Sequence, residues 1–176
     1  MGFSILPWKI LNQTKDKIVY QLHSANDDQG FPGDLVINCT YQLINKYLII
    51  KYEYKSNKST HVNLTNHSYW NLEKNKKLNI KFKGFDTTFF VKKNNRNLVG
   101  TLKNNNTNIQ VDFFSNLPGL QLYSAQNLNY KKKLFPYQGI CLETQYFPDA
   151  PNKKNFPSTL IKPNKRYTCF TKIKIS

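Results

Sequence analysis

Apolar residues at every second position constrain this chain more than any other feature. In the run Leu48-Ile49-Ile50-Lys51-Tyr52-Glu53-Tyr54-Lys55, residues Leu48, Ile50, Tyr52 and Tyr54 fall on one side. A period of two is the repeat of a pleated strand with one buried face, because successive side chains point to opposite faces. The alternation sets Leu78, Ile80 and Phe82 against Asn79, Lys81 and Lys83, and Ile109, Val111 and Phe113 against Gln110, Asp112 and Phe114. It returns over residues 167–176, and residues 34–41 read as a strand after the Phe31-Pro32-Gly33 turn. No stretch carries a convincing apolar stripe of period 3.6. The expected fold class is all-β, with strands in packed antiparallel sheets.

Loops are expected where Asn, Lys, Gly and Pro cluster: residues 24–33, 55–60, 73–77, 92–96, 103–108, 129–133 and 147–157. The Asn-rich stretch 103–108 reads as a hairpin loop. No linker or internal repeat interrupts the pattern, so residues 1–176 are expected to form a single domain. With 39% hydrophobic and 14% aromatic residues, the chain has the material for a packed core.

The net charge of +16, from 26 basic and 10 acidic residues, raises the question of an acidic partner. Arg is the preferred reader of phosphates and base edges, yet it occurs only at Arg96 and Arg166. The lysines are scattered, and their longest run is Lys131-Lys132-Lys133. They read as solvated positions of a Lys- and Asn-rich composition, so no nucleic-acid partner is expected. No apolar run approaches the ~18 residues of a membrane helix, so no membrane partner is expected. The first residues lack a basic segment followed by an apolar one, and Leu6 breaks a myristoylation signal. Cys39, Cys141 and Cys169 are far apart and form no CxxC pair, which disfavours a zinc knuckle. Three free thiols fit a reducing compartment, and the expected location is cytoplasmic.

Four residues stand out chemically. His67 sits in Val62-Asn63-Leu64-Thr65-Asn66-His67-Ser68-Tyr69-Trp70-Asn71-Leu72, a polar and aromatic setting. Amide and hydroxyl groups suit sugar hydroxyls, and an aromatic ring suits a pyranose face. The His alone is equally compatible with a structural role. Glu143 follows Gly139-Ile140-Cys141-Leu142, at what reads as the end of a buried strand. A carboxylate there is costly unless paired or functional, and burial raises its pKa towards a useful base. The double-proline loop after it, residues 147–152, is placed to clamp a site. Asp86 and Gln121 are polar residues inside apolar stretches, compatible with solvent-facing strand positions as well as with binding.

These residues lie in segments that resemble the aldose 1-epimerase, or galactose mutarotase, family. Five segments match in the family's order: DQGFPGDL with CTYQL after it, VNLTNHSYWNL, KGFDTTF, LPGLQLYSAQN, and CLETQYFPDAPNKKNFPSTLIKPNKRYT. The second and last are long and specific, and the resemblance runs from Gly2-Phe3 to the last strand. It implies a β-sandwich of the mutarotase type, and a reaction without metal or cofactor that interconverts the α and β anomers of galactose, glucose and related aldoses. By the same resemblance, His67 is the general acid at the ring oxygen and Glu143 the general base at the C1 hydroxyl. Asp86 and Gln121 bind sugar hydroxyls, with Asn66 and Tyr69 beside His67 as further substrate contacts.

The sequence departs from the family in three places. The match begins at Gly2-Phe3, immediately after the place of a family segment carrying an Arg and a first His, and neither His23 nor His61 substitutes for that His. The passage between Leu72 and Lys83 is much shorter than usual, and Trp70 stands where Phe is common. The expectation is an incomplete sandwich corresponding to the C-terminal part of the family domain, with sheet edges to be covered by a partner chain or a second copy. Loss of an orienting Arg and a second His is expected to slow catalysis by a few powers of ten. A non-catalytic sugar-binding module, or a degenerate relic, that uses the same pocket is the alternative.

Overall fold

The computed structural model describes residues 2–73, 84–92, 97–129 and 134–176. Among them are twelve strands: β1 (Lys9–Gln13), β2 (Lys17–Ser24), β3 (Leu35–Ile44), β4 (Tyr47–Ser56), β5 (Thr60–His61), β6 (Asp86–Phe90), β7 (Leu98–Lys103), β8 (Gln110–Ser115), β9 (Gly119–Tyr123), β10 (Cys141–Gln145), β11 (Leu160–Ile161) and β12 (Tyr167–Ile175). No helix among them is long and apolar enough to cross a membrane.

Seven strands form one antiparallel sheet in the order β1-β2-β3-β4-β12-β8-β7. Its register explains why the period-two signal was strong. Cys39, Tyr52 and Cys169 are cross-strand neighbours, as are Ile37, Tyr54 and Tyr167, and Leu48, Ile173 and Phe113. Each row puts its apolar side chains on the same face, so alternation within strands becomes a continuous buried surface. Ile37, Ile50, Val111, Phe113 and Ile173 are nearly inaccessible to solvent.

A second sheet, β10-β9-β6, lies against this surface. Leu120 and Leu142 join the common core, and the Thr144 and Thr171 hydroxyls bond across the sheets at 2.5 Å. Gly100 in β7 allows the close approach: a Cβ there would stand 3.0 Å from Leu120 Cδ2. The packed antiparallel sheets expected from the pattern are therefore present.

The expected strand at 34–41 extends to Ile44 because β3 pairs with β4 along its whole length. The 103–108 stretch does join the antiparallel hairpin of β7 and β8. Ile109 lies just outside β8 and is exposed, so the inward alternation there begins at Val111. The strand expected around Leu78, Ile80 and Phe82 falls outside the described residues. Strands β1 and β2 were not evident from the alternation. β1 is an edge strand exposed at every position, and β2 opens with five half-buried residues in succession.

Candidate active site

The segment carrying His67 has no regular strand of its own, and is held at both ends by other elements. On its N-terminal side, β5 pairs with β11, and Asn63 exchanges two hydrogen bonds with the Tyr146 backbone. The Tyr52 hydroxyl donates to the Thr65 carbonyl at 3.0 Å. On its C-terminal side, Trp70 and Ile140 exchange two backbone bonds of 2.8 Å, and Asn71 Nδ2 donates to the Gln138 carbonyl. Trp70 also packs edge-to-face with Phe113 in the core, with centroids 5.6 Å apart. The segment is thereby fixed over the face of the three-stranded sheet that points away from the core.

That outer face is built in three rows. Asp86, Tyr123 and Cys141 are cross-strand neighbours; Thr88, Gln121 and Glu143 form the next row, and Phe90, Gly119 and Gln145 the third. Directly opposed residues in antiparallel strands share a face, so the rows gather most of the candidate residues. The Thr88 hydroxyl donates to Gln121 Oε1, and Gln121 Nε2 donates to Asp86 Oδ1 at 2.6 Å. This chain fixes the amide orientation of Gln121 and leaves Asp86 exposed beside it.

His67 reaches this face from above. Its Nε2 stands 3.3 Å from Glu143 Oε1. Its ring lies 5.0 Å from that of Tyr69 and 6.0 Å from that of Tyr123, so two aromatic rings flank the pair. Glu143 lies in the middle of β10 rather than at its end, and every residue of that strand is buried. Burial pushes its carboxyl above the ordinary range; His67 opposes this shift and Asp86 adds to it. Burial also raises the Tyr69 hydroxyl and pushes the Cys141 thiol up to about 12, with Glu143 contributing.

Five of the six candidate residues thus meet on one face: His67, Glu143, Asp86, Gln121 and Tyr69. Asn66 is directed elsewhere, donating to the Tyr41 hydroxyl at 3.2 Å and accepting from Ser68. Three residues of the same face were not singled out from sequence: Thr88, Tyr123 and Cys141. The signal for Cys141 was available, since it precedes Glu143 by two positions and a strand puts both on one side. The other two required the register. A His67 ring nitrogen, Cys141 Sγ and a Glu143 oxygen all lie within 4.8 Å of one another.

The double-proline loop borders the third row. Phe147 packs on Phe90 with centroids 4.2 Å apart. Asp149 has the left-handed φ of 59° ahead of the turn at Ala150–Asn152. A cavity of about 410 Å³, lined in part by Phe3, Phe31, His61 and Phe147, contains none of the six candidate residues.

The family model for aldose 1-epimerase matches residues 2–82 and 73–174. The two matched pieces overlap over residues 73–82. Aldose 1-epimerase of Escherichia coli is 26% identical over 231 aligned positions, covering 97% of this chain and 67% of that protein. Human galactose mutarotase is 26% identical, covering 87% of this chain and 61% of that protein. The chain thus spans about two thirds of the length of these relatives. An aldose epimerase homologue from Caenorhabditis elegans has a similar structure, with a TM-score of 0.86 at 18% identity, covering 96% of this chain and 68% of that one. The structure of galactose 1-epimerase from Lactobacillus acidophilus gives a TM-score of 0.79 at 19% identity, covering 96% and 66%.

Proposed function

Because the chain belongs to the aldose 1-epimerase family, we propose that it interconverts the α and β anomers of galactose, glucose and related aldoses by acid–base ring opening. The observation that carries this reading is the contact of His67 with Glu143 on a face that also presents Asp86 and Gln121.

Glu143 as carboxylate takes the proton of the C1 hydroxyl, while protonated His67 delivers one to the ring oxygen. The C1–O5 bond breaks as the C1–O1 carbonyl forms, so no covalent bond to the protein is needed. Rotation about C1–C2 turns the other carbonyl face towards the C5 hydroxyl. Closure then returns a proton to His67 and takes one from Glu143, leaving both groups as they began. Burial supports Glu143 as base by weakening its acidity. Asp86 and Gln121, linked to each other, hold ring hydroxyls in register with these two groups.

Anomer exchange of α-galactose and α-glucose, followed by polarimetry or NMR, tests the assignment. The folded protein is expected to exceed buffer catalysis, and Glu143→Gln is expected to lose most of that excess. A wild-type trace equal to that of buffer, with Glu143→Gln indistinguishable from it, overturns the proposal.

A further inference from the structure

We propose that His67, Cys141 and Glu143 form a binding site for a zinc-type divalent ion, one that blocks the proton-transfer pair rather than serving it. Occupancy by the ion is independent of the proposed reaction; only the blocking rests on that reading.

The geometry comes from two elements. Cys141 and Glu143 are two positions apart in β10, so sulfur and carboxylate project from the same face. His67 descends on that face and places Nε2 3.3 Å from Glu143 Oε1. All three ligand atoms lie within 4.8 Å of one another. Bonds of about 2.0–2.3 Å in a tetrahedron imply ligand separations of about 3.3–3.8 Å. The set therefore closes on an ion by about 1 Å of side-chain movement. The exposed His67 side chain supplies that movement by turning about its own bonds, whereas Cys141 and Glu143 sit in a buried strand.

The donor set selects the class of ion. One sulfur, one imidazole nitrogen and one carboxylate oxygen match zinc and disfavour magnesium or calcium. An ion that displaces the thiol and carboxyl protons meets two negative charges that balance it, and Asp86, in the row of Cys141, adds attraction. A net charge of +16 opposes loose cation binding at the general surface, so affinity must come from this local set. An ion held here removes base and acid together, and zinc and sugar exclude each other.

Cobalt(II) is the probe, added to the full chain in chelator-treated buffer without sugar. The expected result is a saturable one-to-one complex with a thiolate-to-cobalt charge-transfer band, displaced by zinc. Cys141→Ser is expected to abolish that band and weaken zinc binding, measured by calorimetry, by about tenfold or more. His67→Ala, at an exposed position that spares the core, is expected to weaken zinc binding similarly, with the fold checked by circular dichroism. Absence of the charge-transfer band, or equal zinc affinity in wild type and Cys141→Ser, overturns the site. The metal readout needs no turnover. A band without anomer exchange removes the proposed reaction and keeps the metal site, and exchange without a band does the reverse.

Discussion

His67 Nε2 lies 3.3 Å from Glu143 Oε1, so the two groups assigned to move protons in opposite directions touch each other directly. A sugar that sets its ring oxygen on one and its C1 hydroxyl on the other must part them. Each then loses its partner as it gains a substrate atom. The pair is accordingly expected to act as a unit in catalysis. His67→Ala and Glu143→Gln should each lower the anomer-exchange rate about 10²–10⁴-fold, the usual worth of a positioned acid or base. The double variant should fall little further than the worse single one. Rate constants for the three variants, taken from NMR exchange of α-galactose, check this.

The burial of Glu143 has a consequence for stability. Its folded-state pKa is raised above the ordinary 4.5, chiefly by burial. The folded protein therefore binds this proton more tightly than the unfolded chain does. Its stabilising contribution is fully present below the ordinary carboxyl pKa and is lost as pH rises through the folded-state value. Glu143→Gln escapes that loss. In chelator-containing buffers, the melting temperature of the variant relative to wild type should rise from acid to neutral pH. A difference that is flat with pH, or falls, contradicts the burial account.

Gln121, on the middle strand β9, is tied to β6 twice through one amide, accepting from Thr88 and donating to Asp86. Gln121→Leu keeps the shape of the side chain and strips both bonds. Asp86 then loses the donor that orients it, at a cost of about 1 kcal/mol in a typical case. The expected effect is a rise in KM for galactose of about fivefold, with a smaller change in kcat, because the proton-transfer pair is untouched. Initial rates over a galactose series separate the two parameters.

Strands β4, β8 and β12 were legible because each has one inward face, and Ile50, Val111, Phe113 and Ile173 mark it at alternate positions. β1 was not, because a strand exposed on both faces leaves no hydrophobic pattern. The site shows the same division. Glu143 was visible as a carboxylate in an apolar run, but its place in mid-strand and its pairing with Gln121 depend on a register fixed by distant contacts. Asn66 adjoins His67 in sequence, yet its side chain turns to Tyr41, since neighbours in an irregular segment need not share a direction. Most of the site was readable as residue types, and little of it as geometry.

The three cysteines are buried and unpaired. Burial raises the thiols of Cys39 to about 11, and of Cys141 and Cys169 to about 12. Since the thiolate is the reactive form, native protein at neutral pH should react with a disulfide reagent far more slowly than an unstructured thiol. Denaturant should release three reactive thiols. Colorimetric titration before and after unfolding gives both values, and fast native reaction of any one thiol contradicts its placement.

Phe113 couples the core to the site. It is 1% exposed, and its ring packs edge-to-face with that of Trp70, whose backbone is bonded to Ile140. Trp70 in turn closes the segment that positions His67. Phe113→Leu removes the ring contact and leaves an apolar side chain of smaller volume, a loss of about 1–2 kcal/mol in global stability. Ile37→Val, in the same core but on β3, should cost a comparable 0.5–1.5 kcal/mol. Denaturant unfolding measures both costs. Well below the unfolding midpoint, Phe113→Leu is expected to slow anomer exchange several-fold, and Ile37→Val to leave it near wild type. The two variants differ little in stability and much in what they loosen, so equal rates would show that Trp70 holds His67 without help from the core.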